Sequence, residues 1–251
     1  MRCADAVFLD VGWTMTYPRE SMWDVFAAVC AEAGSPVTSE KIEAYVHDFL
    51  LSRRGQAIEE LEKGSEYPDS DAEFLSIFLS MSRLVFSFAG LDGDRHEVLA
   101  GKFLDRFWDR ANWHVFPDVV PALKRLRARG VRLGIISNAS SELEDFLKKI
   151  GLFPLFDFVC ISAVEGVRKP GRRIYEKALE LAAVDPSRAV HVGDMLLEDV
   201  LGPSKLGIRP FLIDRGPRSM FPRHPERPDP WIQTRVEVVR SLHEVTSALD
   251  V

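Results

Sequence analysis

A chain of 251 residues, 46% hydrophobic and 28% charged, can bury an ample core as one large domain or two modest ones. Its formal net charge of -6 argues against a nucleic-acid-binding face, and no stretch approaches the ~18 apolar residues of a membrane span, so neither nucleic acid nor membrane is an expected partner and the expected location is cytoplasmic. Cys3, Cys30 and Cys160 are too few and too scattered for a disulfide framework or a zinc site.

The first apolar run, AVFLD, reads as a strand that delivers Asp10 at its end, with Gly12, Trp13 and Thr14 following where the chain turns. From about residue 19 to 111 the texture is helical. SMWDVFAAVCAEAG opens with Ser21 and Asp24 in capping-box spacing and stops at Gly34. TSEKIEAYVHDFLLSRRGQAIEELEKG follows, with Gly55 as a weak point in its middle. DAEFLSIFLSMSRLVFSFAG and DRHEVLAGKFLDRFWDR both repeat apolar residues at three- and four-residue spacing. Four helices with short connections predict a small bundle.

After residue 114 helices and short apolar runs alternate: PDVVPALKRLRARG, then VRLGIIS, SELEDFLKKIG, FDFVCIS, RRIYEKALELA, AVHVGD, LEDVLGPSKLG and RPFLID. This alternation predicts an α/β fold with a parallel sheet and crossover helices. AVFLD belongs to that sheet but is severed from it by the helical block, so the block is an insertion. The predicted division is 1–16 with 114–251 as the α/β core, and 17–113 as the inserted bundle. Residues 215–231, rich in proline and arginine, read as an irregular surface connection. VEVV is a candidate edge strand, and Ser241 with Glu244 a further capping box.

Ligands of open parallel sheets sit beyond the carboxyl ends of the strands, so reactive residues should collect there. Asp10 ends the first strand, Ser137 and Asn138 end VRLGIIS, Asp194 ends AVHVG with Asp199 about one helical turn further, and Lys169 lies in the loop GVRKPG. A carboxylate such as Asp10 can attack phosphorus and divide one hard displacement into two easier ones. Attack of one anion on another needs cations nearby. Asp10 and Asp194 offer oxygen ligands to Mg²⁺, with Asp199 as support; Lys169 would screen the remaining charge, and the Ser137 hydroxyl would cradle phosphoryl oxygens.

DVGWT at 10–14, SN at 137–138, KP at 169–170 and GDMLLED at 193–199 together resemble, in order, the four motifs of the haloacid dehalogenase superfamily. The likeness spans nearly the whole chain, and a helical insertion straight after the first motif is similar to that family's first type of cap. The resemblance implies a Rossmann-like core with Asp10 as nucleophile and Thr14, Ser137, Asn138 and Lys169 at the phosphate. It also implies Mg²⁺ held by Asp10, the backbone carbonyl of Gly12 and Asp194, with Asp199 assisting, and a small phosphorylated molecule as substrate.

One position departs from the pattern. Family phosphatases carry a second Asp two places after the nucleophile, as the acid that protonates the leaving oxygen; here that place is Gly12, beside Trp13. The expected activity is a Mg²⁺-dependent phosphatase that is slow or selective about leaving groups. Three explanations of the gap compete. The acid could be borrowed from Glu20, Asp24 or His114. The protein could be a 2-haloacid dehalogenase, which needs no such acid, although both metal-site acids are retained and Arg19 is poorly spaced for a halide-displacing arginine. Or the fold could serve binding and regulation with little turnover.

Overall fold

The structure, a computed structural model, describes residues 4–221 and 236–250. Cys3, His224 and the greater part of the proline-rich connection lie outside the described residues. In chain order, strand β1 (Ala6–Leu9) is followed by β2 (Thr16–Pro18) and by four helices, α1 (Met22–Glu32), α2 (Ser39–Glu62), α3 (Asp71–Phe88) and α4 (His96–Phe107). The chain returns through β3 (Trp113–Val115) to α5 (Val119–Ala128), β4 (Arg132–Ser137), α6 (Leu143–Lys149) and β5 (Phe158–Ile161). A short turn α7 (Ser162–Glu165), helix α8 (Arg172–Ala182) and β6 (Ala189–Gly193) come next. A π-helical turn, Leu196–Leu201, runs into α9 (Gly202–Ser204) and β7 (Arg209–Ile213), and β8 (Val238–Val239) and α10 (Leu242–Ala248) close the described chain.

Six strands form a parallel sheet in the order β5-β4-β1-β6-β7-β8. Side chains alternate across a strand, and β1 shows why the sheet must be covered twice. Val7 and Leu9 enter a cluster with Leu123 and Leu126 of α5 and Val245 of α10, whereas Ala6 and Phe8 enter one with Ile174, Tyr175 and Ala178 of α8. Both faces are therefore apolar and helix-covered, as parallel sheets require. The fold is a Rossmann-like α/β sandwich. Leu9 pairs with Ile135 of β4 and Val192 of β6, so the carboxyl ends of these three strands finish side by side.

The helical block has its own apolar cluster, with Phe26 of α1, Phe86 of α3 and Phe103 and Phe107 of α4 at its centre. Ser21 caps α1 by accepting from the Asp24 amide, and α2 runs unbroken through Gly55. An antiparallel ribbon of β2 and β3, which periodicity did not reveal because each strand is only three residues long, ties the two chain crossings between block and sheet. The expected helix LEDVLGPSKLG begins instead as the π-helical turn and continues into α9, and the Asp199 carboxylate accepts from the Met195 amide at 2.9 Å. No described helix is long and apolar enough to cross a membrane.

The stacked pair Phe26–Phe103, with ring centroids 3.8 Å apart and planes 6° from parallel, anchors the block. Phe103 is fully buried, so Phe103→Ala should cost about 3–5 kcal/mol, read as a lowered urea midpoint for unfolding of the helical block.

Candidate active site

Asp10 stands one residue beyond β1, its amide donating to the Val192 carbonyl at 2.9 Å. The turn that follows is tight: the Val11 carbonyl accepts from the amides of Met15 and Thr16, and the Gly12 carbonyl accepts from the Thr14 amide at 2.6 Å. Trp13 adopts φ 53°, the left-handed region that disfavours a side chain. Its ring is held by the block, stacked on Phe107 at 6.2 Å and edge-on to Trp113 at 5.6 Å. The strained turn after Asp10 is thus supported by aromatic contacts from Phe107 of α4 and Trp113 of β3.

Charge is concentrated beneath this turn. The Lys169 ammonium donates to Asp10 Oδ1 at 2.9 Å and to Asp199 Oδ1 at 2.6 Å, and all three groups are buried. Asp199 Oδ1 also lies 2.9 Å from His191 Nε2. The approach needs Gly193, because a Cβ there would strike the Asp199 carboxylate. Carboxylate oxygens of Asp10, Asp194 and Asp199 all fall within 4.8 Å of one another.

These neighbours divide the acids. Burial pushes the Asp10 carboxyl up, Lys169 opposes it and Asp199 adds to it. Asp194 is driven well above the usual carboxylate range by desolvation and then by Asp10 and Asp199. Asp199 goes the other way: burial would raise it, but Lys169 and His191 hold it well below the ordinary value. Glu198, beside it, is pushed up to about 7 by burial and the Asp199 charge. Lys169 pairs with Asp10 and Asp199, Asp194 converges on the same two carboxylates, and this all-oxygen donor set fits a hard divalent cation.

Above the cluster opens a cleft of about 810 Å³ between sheet and helical block. Asp10, Gly12, Ser137, Asn138, Lys169, Asp194 and Asp199 all line it. Two residues expected at the phosphate make other contacts in the structure. Thr14 is fully buried and is not among the described residues that line the cleft; its carbonyl accepts from the Arg215 guanidinium, so it supports the turn from behind. The Asn138 side chain is spent on Lys169, donating to its carbonyl at 2.9 Å and accepting from its amide at 2.8 Å, so it positions the lysine.

The expected stand-ins for the missing acid are elsewhere. Glu20 is bound to the Arg106 guanidinium, Asp24 pairs with the Ser21 hydroxyl, and His114 is exposed with its ring against Tyr17. None of them is among the described cleft-lining residues, nor is Arg19.

Residues that the sequence did not single out do reach the cleft. Asp69 and Asp71, in the connection from α2 to α3, are brought in by contacts between block and sheet. The Asp71 carboxylate accepts from the Ser141 amide and hydroxyl, both at 2.7 Å, and the Tyr67 carbonyl accepts from the Arg168 amide at 2.8 Å. Asp69 is buried with Oδ2 unpartnered among the described residues. Their only local signal was the turn-rich stretch YPDSD between two helices. Phe74, Trp108 and Glu198 also line the cleft.

Comparison with known proteins agrees with this architecture. The family model described as haloacid dehalogenase-like hydrolase matches residues 5–207. The human haloacid dehalogenase-like hydrolase domain-containing protein 3 is 38% identical over 138 residues, 55% of either chain. The match spans about half the length of the first such relatives. A glyceraldehyde 3-phosphate phosphatase of Methanothermobacter thermautotrophicus is 36% identical over 189 residues, 74% of each chain. Among solved structures, a 2-haloacid dehalogenase from Pseudomonas syringae superposes with TM-score 0.55 over 98% of both chains at 21% identity, a likeness of fold alone.

Proposed function

The chain belongs to the haloacid dehalogenase-like hydrolases and is a hydrolase, and on that premise we propose that it is a Mg²⁺-dependent phosphatase acting on a small phosphate ester through an aspartyl-phosphate at Asp10. The observation that carries this reading is the meeting of Asp10, Asp194 and Asp199 around Lys169 at the floor of the cleft. Phosphatase-named relatives support it.

In this reading Asp10 attacks phosphorus, the bond to the ester oxygen breaks, and its electron pair leaves with that oxygen. Water then attacks phosphorus, releases phosphate and restores the Asp10 carboxylate. Lys169 keeps Asp10 Oδ1 in place, and the Ser137 hydroxyl offers a donor to the phosphoryl oxygens. Asp10, the Gly12 carbonyl and Asp194, with Asp199 behind them, would hold Mg²⁺, which when bound neutralises phosphoryl charge. Residues 17–113 would act as a cap that admits substrate and excludes water, held closed by the Asp71–Ser141 and Tyr67–Arg168 contacts.

Gly12 leaves the nucleophile and the metal ligands intact but supplies no proton to the leaving oxygen, a service typically worth about 10²–10⁴ in rate. With Mg²⁺ present, p-nitrophenyl phosphate should therefore be hydrolysed at least ~100-fold faster than glycerol phosphate. Equal rates would mean that another group protonates the leaving oxygen. Binding of Mg²⁺ and phosphate without turnover of either ester would instead favour a regulatory protein, and metal-free halide release from 2-chloropropionate a dehalogenase.

A further inference from the structure

The cleft is larger than a phosphoryl group needs. At about 810 Å³ it falls in the range that holds a whole organic ligand. Its floor is polar, but the wall contributed by the inserted helices is apolar: Phe74, Leu75 and Phe78 from α3 and Trp108 just after α4, continued by Trp13 and Trp113. Phe78 and Trp113 belong to the block's core, with Phe74 and Trp13 packed against it, whereas Leu75 is 45% and Trp108 39% exposed and free to meet a ligand. The Trp108 ring is fixed before any ligand arrives, stacked on Trp113 at 5.3 Å with planes 9° apart and met edge-on by Phe78 at 5.3 Å. A rigid aromatic surface open to solvent favours a flat, apolar partner at little ordering cost.

The vacancy at Gly12 points the same way for an unrelated reason. A leaving oxygen that receives no proton must depart as an anion. A phenolate, whose conjugate acid has a pKa of about 10, can do so far more readily than an alkoxide. Acyl phosphates also meet that demand, but a small acyl group would leave the aromatic wall empty.

We propose that the substrate is an aryl phosphate, a phosphate monoester of a phenol, with its phosphoryl group at Asp10 and its ring seated against Trp108 and Phe74. The Asp10 carboxylate forms the new bond to phosphorus, the aryl oxygen–phosphorus bond breaks with its electron pair leaving on the phenolate, and solvent protonates that phenolate afterwards. This inference rests on the phosphatase reading and names the substrate class for the same site.

Four probes separate the two requirements: 1-naphthyl phosphate (aromatic, good leaving group), acetyl phosphate (small, good), 4-phenylbutyl phosphate (aromatic, poor) and glycerol phosphate (small, poor). With Mg²⁺, kcat/KM should be highest for 1-naphthyl phosphate, at least tenfold above acetyl phosphate. Trp108→Ala should lower the naphthyl-to-acetyl ratio at least tenfold, mainly through the naphthyl KM. Leu75→Ser, at an exposed position outside the block's core, should lower it about threefold even if Trp108→Ala folds poorly. A naphthyl-to-acetyl ratio near one, or a ratio that neither variant moves, overturns the aryl proposal while leaving a phosphatase. Absence of turnover with all four probes, or turnover that survives Asp10→Asn, overturns the phosphatase reading itself.

Discussion

Asp10→Asn is expected to lower kcat for p-nitrophenyl phosphate by about four orders of magnitude or more, the scale on which removal of a covalent nucleophile acts. The amide has nearly the shape of the carboxylate and still offers the Lys169 ammonium an oxygen. Lys169 also keeps its 2.6 Å contact with Asp199, so the floor should stay assembled. What disappears is the anionic oxygen that would attack phosphorus. Steady-state hydrolysis measured beside Mg²⁺ binding by calorimetry checks this: activity should be lost while the folded protein retains at least weak metal affinity through Asp194 and Asp199. Persistence of more than about a tenth of the activity would place the attacking group elsewhere and remove the basis of the proposed chemistry.

Gly12→Asp carries the second large effect, and in the opposite direction. A Cβ built on Gly12 meets no atom within 4 Å, and its backbone lies outside the left-handed region, so a side chain can be added without strain. The position lines the cleft two residues beyond Asp10. A carboxyl placed there would join Asp10, Asp194 and Asp199, and like charges crowded together favour the protonated form of one of them. That is the form that can hand a proton to a departing alkoxide. Turnover of glycerol phosphate should rise about 10²-fold or more, whereas p-nitrophenyl phosphate, whose leaving group needs no proton, should change by less than about tenfold. The leaving-group preference of the natural chain would thereby collapse. An unchanged ratio between the two substrates would show that Gly12 does not set that preference.

The aromatic wall and the floor of the cleft can be tested separately. In the proposed reading Gly12 sets whether the leaving oxygen is protonated, and Trp108 what can lie beside it. A double variant, Gly12→Asp with Trp108→Ala, should show nearly additive effects on transition-state free energy if the two demands are independent.

By itself the sequence determined the α/β core, and it put a run of helices after the first strand and polar residues at the strand ends, where the structure also has them. Those features are local: apolar runs of strand length, helical spacing, caps such as Ser21, and short ordered segments around Asp10, Ser137, Lys169 and Asp194. Because a parallel sheet aligns its carboxyl ends, knowing the strands was nearly enough to bring those residues together. Only the tertiary structure decided the rest. It pairs the Asn138 side-chain amide with the Lys169 backbone and the Thr14 carbonyl with the Arg215 guanidinium. Glu20, Asp24 and His114 have suitable chemistry but are not among the described residues that line the cleft, whereas Asp69, Asp71 and Trp108 reach it through pairings as distant as Asp71 with Ser141. Such pairings depend on how the helical block seats on the sheet, a long-range packing arrangement that leaves no period and no fixed spacing in the chain.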